Sequence, residues 1–495
     1  MSDSKSLKRS HAQPPEDLVG VQTAVPSKVA GGFKAVQQTM KHGFSEMGFW
    51  RTLKTFTKVN QKEGFDCPGC AWPDPKHRSS FELCENGGKA VAEEATRKRV
   101  DPGFFQRHSV EELGHWTDYQ LGRSGRLTHP MILDPGASHY REISWEEGFE
   151  RLSSSLNQLE DPNQACFYTS GRASNEAAFL YQLFVRRFGT NNLPDCSNMC
   201  HESSGAGLGS TIGIGKGTVT LEDFEKTDAI FIFGQNPGTN HPRMMTALRG
   251  AKKKGARIVT VNPLKEVGLV KFKHPQLVSD ALTGGVELSD LYLQVRINGD
   301  LAVMKGISKA LFEMDALNPG SVIKTQYIED NCFGFEEFAR DIAEADWSEI
   351  EEDSGLKVEE LREAAQVYAE SKSVIICWAM GLTQHENAVA NIQYCVNLLL
   401  LGGHFGREGA GVCPVRGHSN VQGNRTVGIW EAPSDDFLDR LGDAMGFEPP
   451  RGHGLAVVPA IEAMNRGEIK VFFALGGNFI SATPDTEYTA LALKK

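Results

Sequence analysis

The chain has 495 residues, 40% of them hydrophobic and 23% charged, and a formal net charge of −11. That length predicts several domains of roughly 100–200 residues each, and the negative balance argues against a protein that tracks nucleic-acid phosphates. Ten cysteines behind an opening with no apolar export core suggest reduced thiols in a cytoplasmic protein, some of them free to bind metal.

Taken in chain order, residues 1–60 are expected to form a polar, partly disordered tail, since MSDSKSLKRSHAQPPEDLVG carries neither an apolar run nor a twin-arginine signal. Cys67-Pro68-Gly69-Cys70 then gives C-x-x-C in a loop-like setting, with Cys84 following. Two thiolates at this spacing reach one ion, and a third would complete one face of an iron–sulfur cluster; zinc and a dithiol redox pair are the alternatives. Helices are predicted over Ser144–Leu159, where Ser144 and Glu147 fit a capping box, and over Asn175–Phe188, stopped by Gly189. Asp228–Gly234 reads as a buried parallel strand, RMMTALRGAKKKG as a helix ending at Gly255, and Arg257–Pro263 as a second strand. This is a βαβ unit whose two strand-end loops open at the same sheet edge.

Further helices are predicted at Asp300–Met314, Val358–Ser371 and Ala388–Leu401, with the acidic run from Glu336 to Glu363 as solvated helix faces. No apolar run reaches the roughly 18 residues of a membrane span. Ser373–Gly381 and Ile469–Asn478 repeat the strand-then-glycine pattern. The fold class is therefore α/β, multi-domain, with more than one open sheet. Gly213-Ile-Gly215-Lys-Gly217 and Gly205-Ala-Gly207-Leu-Gly209 neither follow a strand nor match G-x-G-x-x-G, which disfavours a nicotinamide dinucleotide site. Glycine and amide residues gather instead at strand ends: Gly234 with Asn236, Asn262, Gly381 with Gln384, and Gly476 with Asn478. Backbone N–H groups there suit a pyrophosphate and a guanine ring; for any one loop a tight turn is the better reading, and it is the four in series that favour a large nucleotide cofactor.

The densest chemistry is Cys200-His201, read with Arg416. A thiolate holds a soft metal, an imidazole moves a proton, and an arginine from a distant segment clamps a small anion. SGRASNEAAFLYQLFVRRFGTNNLPDCSNMCHE and GAGVCPVRGHSNVQG resemble the molybdopterin oxidoreductase family, nearest its formate-dehydrogenase-like branch. The resemblance implies two interleaved dinucleotide-binding-like open sheets with a small N-terminal iron–sulfur cap. Its domain plan is a cap at 61–125, a first α/β domain at 126–195 plus 419–495, and a second at 196–418. The family's C-terminal pterin-binding barrel is expected to be absent.

By the same resemblance, Cys200 stands at the molybdenum (or tungsten) ligand, His201 at the proton acceptor and Arg416 at the substrate-orienting cation. The cofactor would be molybdenum bis-(molybdopterin guanine dinucleotide), held by Gly234, Asn236, Asn262, Gly381, Gln384, Gly417, Gln422, Gly476 and Asn478. Cys67, Cys70 and Cys84 would ligate a 4Fe–4S cluster, with Asp74 where the family has its third cysteine. The family's Cys-x-Lys-Gly is replaced by Cys84-Glu85-Asn86-Gly87, with Lys89 as the nearest substitute cation. The implied partners are a small anionic substrate such as formate and an electron-acceptor protein, with neither nucleic acid nor membrane insertion. A relative acting on another oxo-substrate such as nitrate is one alternative, and a truncated non-catalytic scaffold the other. Cys196 reads as a small packed residue, and Cys166, Cys332, Cys377, Cys395 and Cys413 as structural thiols.

Overall fold

The computed structural model describes residue 25 and residues 27–495. The strands that organise it are β1 (Ala165–Thr169), β2 (Ala229–Phe233), β3 (Arg257–Val261), β4 (Leu291–Leu293), β5 (Val374–Trp378), β6 (Gly411–Pro414) and β7 (Val471–Leu475). The helices used below are α1 (Gly32–Met47), α2 (Phe49–Phe56), α3 (Glu85–Glu94), α4 (Glu202–Ile212), α5 (Met244–Lys253), α6 (Ala388–Leu401) and α7 (Asn420–Thr426).

Every residue of β2 and β5 is buried, as the continuous runs AIFIF and VIICW require of strands covered on both faces. They lie at the centre of a parallel sheet ordered β4-β3-β2-β5-β6, in register at Phe231↔Val259, Phe231↔Ile376 and Ile376↔Val412. One face packs on Ile307, Leu361 and Leu399 from three helices, the other on Met244 and Leu248 of α5 together with Trp72. The chain winds outward from β2 through β3 to β4 in one direction and from β5 to β6 in the other. Order reverses between β2 and β5, and in such sheets the ligand crevice opens there, beyond the carboxyl ends of the strands.

A second parallel pair joins β1 to β7, with Phe167 opposite Phe473, and Thr169 bridges to Asp195. This pairing brings the segment before Cys200 together with the end of the chain. The predicted strands and long helices agree with those observed to within a few residues. The capping box at Ser144 is half made: its hydroxyl accepts the Glu147 N–H, but the Glu147 carboxylate turns to Arg141 (2.9 Å) and Arg151 (3.0 Å).

The expected tail is corrected over part of its length. Residues 1–24 and 26 lie outside the described residues, but residues 32–56 form α1 and α2. Met40, Met47 and Phe56 close over Leu83 and Ala92, and Glu46, 4% exposed, is satisfied by Thr96 (2.7 Å), Lys98 (2.9 Å) and Arg123. Helical stability here comes from tertiary packing of one apolar face, since α1 begins at Gly31 with no side-chain cap. Among the described residues no helix is long and apolar enough to cross a membrane.

Candidate active site at the sheet edge

Cys200 follows the tight turn Cys196–Met199 and directly precedes His201, the N-cap of α4. Two loops beyond the carboxyl edge grip it. From the β5 loop, the Gln384 side-chain amide donates to the carbonyls of Met199 (3.1 Å) and Cys200 (3.4 Å), and Met380 Sδ lies 3.6 Å from Cys200 Sγ. From the β6 loop, the Gly417 N–H faces the thiol beside the Arg416 guanidinium. Burial pushes the Cys200 thiol up, while Gly417 and Arg416 both favour its thiolate.

His201 is 3% exposed. Its Nδ1 meets Ser204 Oγ at 2.9 Å, and the same hydroxyl accepts the Trp378 indole N–H at 2.9 Å. The Ser204 hydroxyl thus holds the imidazole by Nδ1, and Nε2 is left without a hydrogen-bond partner. Burial and the neighbouring Arg416 charge lower its pKa to about 3, against the Val415 carbonyl. Burial therefore favours the neutral imidazole over the imidazolium.

Arg416 Nη2 donates to the Gly215 carbonyl (2.9 Å), and the Arg416 carbonyl accepts the His241 Nε2–H (2.8 Å). His241 Nδ1 and Gln235 Oε1, both on residues no more than 3% exposed, have no partner. Gly234 and Gly381 meet at the switch point: Gly381 N–H bonds the Gly234 carbonyl (3.0 Å), and a Cβ on Gly381 would stand 2.4 Å from Gly234 Cα. Only paired glycines allow that approach, and Gly234 also has φ +53.

The remaining sequence-predicted residues divide between the two sheet edges. Asn236 caps the turn Pro237–Asn240, and the Asn262 side chain donates to the Leu264 carbonyl (2.8 Å). Beyond β7, the Gly476 carbonyl accepts Ser170 Oγ–H (2.6 Å) and Asn478 Nδ2 reaches Ser481 (3.2 Å). The Gly171 N–H beside them bonds Cys196 Sγ at 3.0 Å, so Cys196 ties the small sheet to the turn that carries Cys200. Sequence reasoning missed Ser204, Trp378, Met380, His241 and a salt-bridge cluster in which Arg425 faces Asp195 (3.1 Å) and Glu202 (2.7 Å). Asp195 is fully buried, which raises its pKa to about 7 against the pull of Arg425.

Cys67, Cys70, Cys84 and Gln422 line a cavity of about 420 Å³ between the cap and α7, reached also by Arg172 and Arg243. Backbone N–H groups of Gly69 and Gly87 approach Cys67 Sγ and Cys84 Sγ at 3.3 Å each. Burial raises all three thiols, Cys84 to about 11, opposed by these N–H groups and, for Cys70, by that of Trp72; Arg243 opposes it for all three. Asp74, the expected additional ligand, is otherwise engaged: Oδ1 meets Arg243 (2.8 Å) and Oδ2 meets Arg78 (3.2 Å). Lys89 pairs with Glu85 (2.9 Å) and borders a different, larger cavity of about 850 Å³ that does not touch Cys200. Among the described residues no three His, Cys, Asp or Glu side chains gather tightly enough for a single metal ion. A cuboidal cluster spaces its thiolates more widely because its iron–sulfide core lies between them, and three cysteines around one cavity with N–H···S support fit such a group.

The molybdopterin oxidoreductase family model matches residues 126–495, which include both sheets and the Cys200 turn. The chain belongs to this family. It is 50% identical over 480 residues to an uncharacterized oxidoreductase of Mycobacterium tuberculosis, covering 97% of this chain and 62% of that protein. Protein YdeP of Escherichia coli is 48% identical over 94% of this chain and 62% of its own length. The alpha subunit of the F420-dependent formate dehydrogenase 1 of Methanococcus maripaludis is 28% identical, over 82% of this chain and 58% of that one. The chain thus spans under two thirds of the length of these relatives. Acetylene hydratase from Pelobacter acetylenicus shares the fold, with a TM-score of 0.55 at 18% identity over 74% of this chain and 51% of its own. A molybdenum–pterin cofactor is what the family implies. The unpartnered His201 Nε2, His241 Nδ1 and Gln235 Oε1 in the Cys200–Arg416 region, with the paired glycines at the switch point, fit a large polar group.

Proposed function

We propose that this chain is the catalytic part of a molybdenum bis-(molybdopterin guanine dinucleotide) oxidoreductase of formate-dehydrogenase-like type, passing electrons through a 4Fe–4S cluster to an acceptor protein. The observation that carries this reading is the Cys200 thiol, supported by the Gly417 N–H beside Arg416, at the carboxyl edge where the strand order reverses. The bound cofactor supplies two-electron redox chemistry at a metal that a thiolate ligates.

The chain's own residues do the rest. Cys200 provides the thiolate, and Gly417 and Arg416 stabilise its charge. Arg416 has one carbonyl partner and keeps further N–H groups for a small carboxylate, a charge-assisted contact worth roughly 1.5–3 kcal/mol. His201, oriented through Ser204 and Trp378, exchanges a proton with the substrate. Cys67, Cys70 and Cys84 hold the cluster, and Arg243 offsets its negative charge.

The test combines elemental analysis with turnover. Protein from cells supplied with molybdate should carry molybdenum, pterin and iron and reduce a dye with formate. Cys200→Ser should abolish turnover with iron content unchanged. Retained turnover in that variant would remove Cys200 from the metal, and a protein free of molybdenum would favour a scaffold.

A further inference from the structure

Seven lysines and arginines stand between residues 27 and 62 against one acid, in a chain whose formal net charge is −11. Lys34 and Lys41 lie on α1, and Arg51 and Lys54 on α2. Lys28 precedes them, and Lys58 and Lys62 follow. All seven are exposed, and none has a carboxylate partner among the described residues. The one acid, Glu46, is 4% exposed and already taken up by Lys98 and Arg123.

Aromatic rings lie among these cations. Phe44 stacks on Phe49 with ring centroids 5.5 Å apart, and Phe49 meets Trp50 edge-on at 5.1 Å. Trp50 is 79% exposed and Phe49 53%. Lys41 stands three residues before Phe44 and Lys54 four after Trp50, so each shares a helix face with a ring. Contiguous exposed aromatics rimmed by unpaired cations have the composition of a protein-binding surface.

The fold sets this surface close to the cap cysteines. α1 lies directly on α3, the helix that Cys84 caps: a Cβ on Gly88 would stand 2.6 Å from Thr39 Cγ2. Lys34 and Gln38 of α1 border the same cavity of about 850 Å³ as Cys84. One helix, about 10–12 Å across, therefore separates the surface from a thiol that would hold iron. A nucleic acid or a lipid bilayer has no use for that proximity, whereas an electron carrier does.

We propose that the α1–α2 surface docks the electron acceptor, and that this acceptor is an acidic one-electron carrier protein with an apolar centre to its contact face. The inference rests on the reading of Cys67, Cys70 and Cys84 as the place from which electrons leave. The negative balance of the chain repels an acidic partner elsewhere, so the basic patch orients the encounter. Phe49 and Trp50 then supply the apolar contact that holds it. Each encounter reduces the carrier by one electron and reoxidises the chain by one, so the two electrons of one substrate oxidation take two encounters.

The test uses the iron-loaded full chain, with an acidic plant-type ferredoxin as probe and basic cytochrome c as control. Iron content is measured first: a chain that takes up no iron overturns the cluster reading and the docking assignment with it. With iron in place, binding decides the docking assignment alone. The native chain should bind ferredoxin at least about tenfold more tightly than cytochrome c, and less tightly as salt rises. Lys41→Glu combined with Lys54→Glu should weaken ferredoxin about tenfold and flatten the salt dependence. Trp50→Ala should weaken it by a similar factor and leave the salt dependence as it was. All three side chains are exposed, so iron content and melting temperature should not move. Hydrogen exchange on the native chain needs no variant: ferredoxin should protect amides within residues 32–56. Native affinity in both variants, or protection confined to other segments, overturns the proposal. Tighter binding to phosphatidylserine vesicles than to ferredoxin also overturns it and makes this face a lipid contact.

Discussion

Ser204 meets His201 from the same helix, Oγ to Nδ1 at 2.9 Å, and accepts the Trp378 indole N–H at 2.9 Å with the same oxygen. One hydroxyl therefore joins α4 to the end of β5 and fixes the orientation of the imidazole through Nδ1. Ser204→Ala leaves a buried indole N–H and a buried ring nitrogen without partners, at a cost of about 1–3 kcal/mol. A lower urea midpoint is expected, with the slope unchanged. Turnover should fall further than stability, because the imidazole then loses the contact that orients it. A variant with native turnover would dissociate Ser204 from His201 function.

The contact between Gly234 and Gly381 gives a prediction of a different kind. A Cβ on Gly381 would stand 2.4 Å from Gly234 Cα and 2.6 Å from its carbonyl oxygen, backbone atoms that no rotamer change can move. Gly381→Ala should push β2 and β5 apart at their carboxyl ends and destabilise the chain by roughly 1–3 kcal/mol. Pterin content, measured by fluorescence after oxidative release, should drop with it. Full pterin content would mean that the cofactor does not use this edge.

Much of this arrangement is legible in the sequence, and the boundary of legibility has a physical basis. β2 and β5 announce themselves as unbroken apolar runs, and Cys200, His201 and Arg416 stand inside long, distinctive motifs. What the sequence does not display is pairing between distant segments. Trp378 with Ser204, Arg425 with Asp195, and His241 with the Arg416 carbonyl each join residues over 170 positions apart, with no local periodicity to mark them. α1 escaped for another reason: it lacks a capping side chain, an acidic first turn and a basic last turn. Asp74 occupies the right sequence position for a cluster ligand, yet two arginines from different segments claim its oxygens.

Gly87 makes the cap testable apart from turnover. A Cβ there would lie 2.9 Å from Cys67 Sγ and 3.6 Å from Cys84 Sγ, between the two thiols that would hold iron. Gly87→Ala should displace Cys67 and lower the iron-to-protein ratio measured by elemental analysis. Cys332→Ser, a change at a thiol remote from that cavity, should leave the ratio as it was. Equal iron in both variants would exclude the cap as the cluster site.

Stability should also carry an acid-sensitive term from Asp280, whose side chain is 1% exposed and bonds Arg249 Nε at 2.7 Å. The Arg249 hydrogen bond, with further help from the His274 N–H and against the cost of burial, holds the carboxyl at about 2. A folded pKa below the unfolded value near 3.9 stabilises the protein above the unfolded value, and this contribution is lost as pH falls from about 4 through 2. Screening by nearby solvent and the cost of burying the charge limit the term to about 1–2 kcal/mol. Asp280→Asn should lower the urea midpoint at pH 7, with the gap to the native chain narrowing steadily between pH 4 and pH 2. A gap that stays constant over that interval would show that the Arg249 pairing contributes nothing through ionisation, and that any loss in the variant is one of packing.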